Sequence, residues 1–498
     1  MRYDAVVVGS GIGGMTAAIT LAKERRRTLV LEQHERPGGL MSVFRRGECR
    51  FPTGVHSVGS LAEGQVLWRY LKYLGVLDRV RPVPLDDDGI MEYVFPGTSF
   101  VVPRGHEAFR ARLIDSFPSE RAGIERFFAD MRQVASQFPL YRLDSGVERP
   151  SPGARAQSLA SYLDELTGSR LLKGVLSGLN VFYGVDPAEC PLYVHFLVMD
   201  SFVSSSWRFD EARAPLADAF LAAFRAAGGE VRCGARVAAV EATNRTVSAV
   251  RLTDGERIES DVVVFTGHPR LLPALCEGGG LRPAYKERLI EQPETPGMFG
   301  IALAWEHPEC SLPGRDVVIY GGLDTGRHYH QRGVLDGETP DAIIAVGSRN
   351  PGSRTCSAVI MALVPCEDWT PWWDSRTGHR AASYTAAKQG LAGRILGVLR
   401  GRWPQAAGGM RLLDSFSPLT FRDYTMTPTA SAYGLRKSVG AGRSGRIITA
   451  TRIRGLFLAG QNVVISGVVG TVISGIDACA AILGRRHLIE QIARATRS

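Results

Sequence analysis

The sequence predicts an α/β protein in which a parallel, doubly wound sheet is assembled from separated stretches of chain and interrupted by α+β insertions. Three observations predict it. A strand, glycine turn, helix and second strand fill residues 4–32; a cluster of short β runs follows at residues 230–266; and a glycine-bounded apolar run at residues 455–460 leads into an apolar helix.

The N-terminal unit is the most informative. Ala5-Val6-Val7-Val8 is an apolar, β-branched run broken at once by Gly9-Ser10-Gly11-Ile12-Gly13-Gly14. Residues 15–22 are Ala-rich with helical composition, and Thr28-Leu29-Val30-Leu31 reads as a strand ending in Glu32. This succession is the Rossmann-type dinucleotide-binding unit. Gly9 permits the tight turn, Gly11 lets backbone approach a pyrophosphate, and Gly14 lets the helix pack on the strands. The helix N-terminus turns free N–H groups and a positive dipole end toward phosphates. Glu32 is placed to accept hydrogen bonds from ribose hydroxyls. An ordinary glycine-rich turn is the competing reading, but strands, helix and acid all stand in register for a nucleotide.

Downstream, Gln33 to Gly39 is a loop whose Gly38-Gly39 pair suggests a further close approach to a ligand. Residues 42–46 and 49–51 read as a hairpin turning at Gly47, residues 64–75 as a helix, and residues 90–95 and 99–102 as a second hairpin turning at Pro96-Gly97. Residues 107–199 are mostly helical in pattern, broken by a Pro/Gly-rich loop near 149–153. From Pro215 a helix runs to Ala227, followed by β runs at 230–233, 237–241, 247–253 and 258–266. Residues 298–418 mix strands (301–305, 343–346, 359–364) with a long helix from about 380 to 399. The resulting picture is a discontinuous nucleotide domain (1–60, 212–290 and 446–498) and a second domain built from its insertions (61–211 and 291–445), which would wall a substrate pocket.

Two stretches mimic other features. Gly440-Ala441-Gly442-Arg443-Ser444-Gly445 also fits GxGxxG, but no strand precedes it and Ile447-Ile448-Thr449 favours a strand after it, so it reads as a turn. Residues 463–483 are apolar enough to resemble a membrane span. Asp477 lies inside them, and Gly467, Gly470 and Gly475 suit close packing, so a buried helix is expected.

Composition bounds the rest. The chain has 498 residues, enough for two or three cores, with 45% hydrophobic and 22% charged residues. Eight cysteines are scattered singly, without metal-ligand spacing, which points to a reducing compartment, no disulfide framework and no metal site. Asp4 sits where a signal peptide carries positive charge, so a cytoplasmic protein is expected. The net charge of +9 is carried by arginine, clustered at Arg25-Arg26-Arg27, Arg45-Arg46 and Arg485-Arg486-His487. These clusters read as solvated surface or as peripheral contact with an anionic membrane; nothing resembles a nucleic-acid module.

Several motifs together resemble one family: the flavoproteins that include phytoene desaturases, carotenoid cis–trans isomerases and retinol saturases, within the amine-oxidase-like superfamily. They are Gly9–Gly14, Leu31-Glu32-Gln33-His34 with Gly38-Gly39, and Phe51-Pro52-Thr53-Gly54-Val55-His56. Further on come Ser417-Pro418-Leu419-Thr420, Tyr433-Gly434-Leu435 and Gly455-Leu456-Phe457-Leu458-Ala459-Gly460-Gln461. The resemblance covers nearly the whole chain. It implies a glutathione-reductase-like FAD domain with an inserted α+β substrate domain, non-covalent FAD, and an apolar tunnel leading to the flavin. On this reading the cofactor is bound by Gly9, Gly11, Ile12, Gly13, Gly14, Glu32, Gln33, Gly38, Gly39, Leu40, Val237, Gly460, Gln461, Gly467, Gly470 and Thr471, with NAD(P)H as an external reductant. The chain departs from family patterns at four places. Leu40 stands where amine oxidases often carry arginine, and Gln461 where many relatives carry an acid. Pro52 stands where saturase-like proteins usually have aspartate, and Ser205-Ser206-Trp207 lacks a common Gly-Gly.

The flavin performs hydride chemistry, and side chains bind, orient and move protons. His56 is the first proton-handling candidate, the alternative being a loop-orienting histidine. Tyr424 and Tyr433 are candidate phenols near the substrate or packing residues. Trp369-Thr370-Pro371-Trp372-Trp373 holds three of the seven tryptophans, for a tunnel wall, a membrane-facing mouth or a core. The expected function is FAD-dependent desaturation, saturation or isomerisation of an apolar polyene. Carotenoids, retinoids and polyketide polyenes such as tetramate macrolactam precursors undergoing reductive cyclisation are the substrate alternatives. The rival functions are a flavin amine oxidase and a non-enzymatic flavin-binding scaffold.

Overall fold

The computed structural model describes residues 1–144, 146, 152–211, 214–276, 280–306, 314–348, 355–441 and 447–497. Residues 149–151 of the expected Pro/Gly-rich loop and residues 442–445 of the second GxGxxG run lie outside them. Five short strands form a wholly parallel sheet in the order Glu230–Arg232, Thr28–Leu31, Ala5–Val8, Val263–Phe265, Leu456–Leu458. Their near-continuous apolar composition follows from cover on both faces. Val7, Val30 and Val264 join the core beneath helices Ile12–Lys23, Leu216–Ala226 and Val468–Leu483. Val6, Leu29, Leu31 and Val263 point the other way, onto a meander of Val237–Thr243, Thr246–Leu252 and Arg257–Ser260.

The β run expected at 258–266 is therefore two strands in two sheets. Ser260 ends the first: its hydroxyl donates to the Val262 carbonyl at 2.8 Å, so the chain turns before Val263 joins the parallel sheet. The expected strand at Ile447-Ile448 does not form either; the two residues carry no regular structure, and Ala450 makes only an isolated bridge to Phe457.

A second, seven-stranded sheet runs Arg411–Phe416, Gly297–Trp305, Cys356–Val364, Ala342–Ser348, Asp316–Tyr320, Met91–Phe95, Thr98–Val102. Every neighbouring pair is antiparallel except Asp316–Tyr320 with Met91–Phe95. The period-two alternation is strict along Gly297–Trp305. Phe299, Ile301 and Leu303 face a core closed by the Ala382–Arg402 helix, while Met298, Ala302 and Ala304 face the helices Arg121–Ser136 and Leu192–Ser204. The tryptophan cluster belongs to the first of these cores. Trp369 is fully buried, stacks on Phe299 at 5.9 Å between centroids and meets the Tyr384 ring edge-on, so it is neither tunnel wall nor membrane anchor.

A buried ion pair joins the two sheets' surroundings. Arg208, on the Ser206–Phe209 strand, donates to Asp316 at 2.7 Å and to the Gly347 carbonyl. The C-terminal apolar helix begins at Val468, five residues later than its composition suggests, because Gly467 turns the chain with φ +87°. Asp477 within it accepts from the Thr449 hydroxyl and pairs with Arg485 at 3.4 Å, which compensates its burial. Among the described residues no helix is long and apolar enough to cross a membrane.

Glycine decides how closely the two long helices approach. A Cβ on Gly475 would lie 2.6 Å from the Gly13 carbonyl oxygen and 2.7 Å from Thr16 Cβ, and one on Gly13 would lie 2.9 Å from Gly460 Cα. Gly475→Val is expected to force these backbones apart, at a cost of about 1–3 kcal/mol or more. A lowered urea midpoint with an unchanged slope would report it.

Candidate active site

A cavity of about 1310 Å³ lies between the two sheets. It opens at the C-terminal ends of the parallel strands, where Val8, Leu31 and Phe265 line it, and runs to the inner face of the large sheet at Met298, Ile344 and Met361. Crevices at the carboxyl ends of such strands are where this topology takes its ligands.

At the glycine-rich end the turn is built by mutual exclusion of side chains. Gly9 has φ +100°, and its Cβ would lie 2.5 Å from the Thr266 hydroxyl; a Cβ on Gly14 would lie 2.1 Å from the Gly9 carbonyl oxygen. A Cβ on Gly11 meets nothing within 4 Å, so this glycine fronts open space. Gly11 caps the Ile12–Lys23 helix with no side-chain acceptor, and Gly467 caps the Val468–Leu483 helix likewise. Two helix N-termini thus end uncapped at the same cavity. That is the cradle a pyrophosphate-bearing flavin nucleotide requires, and the residues present fit it.

Ser10 is the hub that sequence inspection passes over, because it sits at a variable place in GxGxxG. Its backbone N–H donates to Glu32 Oε2 at 3.0 Å, its hydroxyl donates to the same oxygen, and the Gly38 N–H donates back to the hydroxyl at 2.8 Å. The other Glu32 oxygen accepts from the His34 N–H at 3.0 Å. Glu32 is thereby held as a buried carboxylate on the cavity wall.

Gly38 is a correction to the expected binding set. It does not line the cavity; a Cβ there would lie 2.7 Å from Ala217 Cβ, so it supports the loop from behind. Gly39 does reach the wall, 3.3 Å from Gly11 Cα by the same construction. Ile12, Gln33, Leu40, Val237, Gly460, Gln461, Gly467, Gly470 and Thr471 line the cavity too. Leu40 packs over Gly54, whose Cβ would lie 2.9 Å from Leu40 Cβ. Thr266 and Asn462 were also missed. Thr266 donates to the Val8 carbonyl at 2.8 Å, and Asn462 Oδ1 accepts from the Leu435 N–H at 2.7 Å, tying the Tyr433-Gly434-Leu435 run to the final glycine turn.

The three proton-handling candidates separate. Tyr424 is 56% exposed on the rim, its carbonyl accepting from His34 Nε2 at 2.7 Å, far from an enclosed reaction centre in character. It belongs to the helix Pro418–Thr425, which Ser417 and Thr420 start with a capping box; this explains the Ser-Pro-Leu-Thr motif locally. Tyr433 is in the wall, its hydroxyl donating to the Val181 carbonyl at 3.1 Å, and burial raises its pKa. His56 lines the cavity with Nδ1 shielded and unpartnered. Burial, reinforced by the Arg208 guanidinium, lowers its pKa to about 4, so the imidazole is neutral at physiological pH.

Beyond these groups the wall turns apolar, with Phe182, Leu197, Val198 and Phe202 facing Met298, Ile344 and Met361. Among the described lining residues only Glu32 and Asp477 are carboxylates, and both already hold partners.

Comparison with known proteins agrees with this geometry. Residues 12–483 match the family described as flavin containing amine oxidoreductase. The chain is 26% identical to an all-trans-retinol 13,14-reductase of Macaca fascicularis over 540 residues, covering 99% of this chain and 87% of the relative. It is 32% identical to prolycopene isomerase 2, chloroplastic, of an Oncidium hybrid cultivar over 178 residues, 34% of this chain and 30% of that protein. An oxidoreductase from Methanosarcina mazei shares the fold with a TM-score of 0.67 at 15% identity, covering 96% of this chain and all of that one.

Two outcomes are expected. Glu32→Ala removes charge-assisted hydrogen bonds that contribute about 1.5–3 kcal/mol each, so apoprotein titrated with FAD should bind at least about tenfold more weakly by fluorescence quenching. Stability should also fall in mild acid. Burial lowers His56, His195 and His268 to about 4 and His328 to about 3, below the unfolded value near 6.5. The unfolded chain then binds more protons, so this stabilisation is complete above pH ~6.5 and is lost as pH falls toward ~4. Glu211, raised to about 7 by burial, opposes it as one group against four. Urea midpoints at pH 7.5 and 5 measure the difference.

Proposed function

The chain belongs to the flavin containing amine oxidoreductase family, and on that premise we propose that it exchanges hydride between FAD and the C–C/C=C bonds of an extended, apolar, conjugated substrate. The observation that carries this reading is the continuity of the cavity. One end is a glycine turn with two uncapped helix N-termini and a held carboxylate; the other is an apolar slot with no free carboxylate among its described lining residues. At about 1310 Å³ it exceeds the ~300–1,000 Å³ of an ordinary single-ligand pocket, leaving room for cofactor and substrate together.

Bound FAD supplies two-electron hydride chemistry. The chain's own residues do the rest. Gly11, Ile12 and Gly467 offer backbone to the phosphates, and Glu32 offers a carboxylate to the ribose. Phe182, Phe202 and Met361 hold an apolar chain in register and exclude water from it. His56 keeps a neutral imidazole in the cavity wall, so this wall residue adds no charge beside an apolar ligand. A cationic amine finds no anionic partner in this slot, and Leu40 supplies no charge beside it, which disfavours amine oxidation.

The direction we infer is saturation, with NAD(P)H or another external two-electron donor reducing the flavin. Likeness to a retinol reductase along 99% of the chain supports it, whereas likeness to a prolycopene isomerase extends over 34%. The substrate class takes in retinoids, carotenoids and polyketide-derived polyenes, including tetramate macrolactam precursors. Anaerobic, prereduced holoprotein offered a panel of these polyenes should return a product two hydrogens heavier by mass spectrometry, with reoxidation of the flavin. Flavin reduction by small amines, with no polyene converted, would overturn the reading.

A further inference from the structure

Saturating a double bond consumes a proton as well as a hydride, and among the described residues His56 Nδ1 has no hydrogen-bond partner through which to recover one. A different group in the same wall does. Tyr141 lines the cavity, and its hydroxyl donates to Asp200 Oδ2 at 2.6 Å. The other oxygen, Asp200 Oδ1, lies 3.0 Å from His106 Nε2. Exposure rises along the chain away from the cavity: the Asp200 side chain is 14% exposed and that of His106 24%. The three residues come from separate elements, Pro139–Arg142, Leu192–Ser204 and the first residue of the helix His106–Ser116, so only the fold brings them together.

The geometry points to Tyr141 as the proton donor to the substrate carbon, reloaded from solvent through Asp200 and His106. This rests on the saturation reading above. The surroundings suit the role. Ser60 and Ser201 hydroxyls interact with the phenol oxygen, and Ser57, Val58 and Gly59, just before Ser60, line the same cavity as Tyr141. Tyr141 also packs against both the helical core of the large sheet and that of the parallel sheet, at the seam between them. Burial and the Asp200 carboxylate raise its pKa well above the ordinary tyrosine value, so it carries its proton at any working pH.

The step balances. One substrate carbon gains hydride, with both electrons, from a reduced flavin. The other gains the phenol proton as the O–H bond breaks. When a protonated His106 passes its Nε2 proton to Asp200 Oδ1, the carboxylic acid can turn and donate to the phenol oxygen, and the phenol O–H is left to face the cavity. His106 then recovers a proton from water.

The test combines turnover with a measurement that needs no substrate. In prereduced holoprotein turning over a polyene, Tyr141→Phe should lower kcat by about 10²- to 10⁴-fold with flavin content and KM little changed. Asp200→Asn should do the same. His106→Ala should be slowed and rescued by added imidazole, which a packing role would not produce. Independently, the imidazole resonances of His106 in NMR spectra at one fixed pH should shift in Tyr141→Phe, because Asp200 loses the phenol donor and only the imidazole contact remains. Unchanged kcat in Tyr141→Phe, or an unshifted His106, overturns the relay. A shifted His106 in a protein that converts no polyene overturns the substrate reading and leaves the relay to serve another acceptor.

Discussion

The structure depends on a contact between three glycine backbones. A Cβ on Gly13 in the first helix would run into Gly460 in the last turn, and one on Gly475 in the C-terminal helix would run into Gly13. This lets elements more than four hundred residues apart in sequence pack as neighbours over the parallel sheet. It also aims two helix N-termini into one cavity, because the turns at Gly11 and Gly467 are fixed by helices that cannot separate. The positive end of each dipole is thereby left open toward the cavity, with no capping side chain.

The second constraint is the seam between the two sheets. Arg208 and Asp316 form a pair in which the aspartate side chain is fully buried, and breaking either partner would leave an uncompensated charge. The same guanidinium adds to the burial that keeps His56 neutral. A single cation therefore contributes to holding the large sheet in place and to the protonation state of a wall residue. Polar groups gather at the cofactor end and along the seam, whereas Phe182, Phe202 and Met361 give the far end of the cavity a mainly apolar wall.

Much of the cofactor end was legible in the sequence. The glycine turn, Glu32 and the Gly460–Thr471 residues are consecutive or periodic, and each acts largely through local backbone geometry. The glycine turn and Glu32 were read from spacing and the Gly460–Thr471 residues from the family resemblance, and all of the expected binding residues except Gly38 line the cavity. Gly38 differs because its need for glycine arises from Ala217, a residue on another element. The Trp369 cluster was ambiguous for a related reason: an aromatic run has the same composition whether it lines a tunnel or a core. Its burial against Phe299 depends on which face of a distant strand meets it.

What the sequence by itself determined is the α/β class, the nucleotide-binding unit, the hairpins and the likeness to flavoprotein oxidoreductases, since these rest on contacts between residues close in the chain. Only the tertiary structure decided where the strand at 258–266 divides, that Ser10 organises Glu32, and that Tyr424 lies on the rim while Tyr433 lies in the wall. It alone brought Tyr141, Asp200 and His106 together. That last grouping depends on side chains from separate elements meeting across 59 and 94 residues of sequence. No local propensity encodes such a meeting, because it is set by how two sheets and their helices close around one cavity.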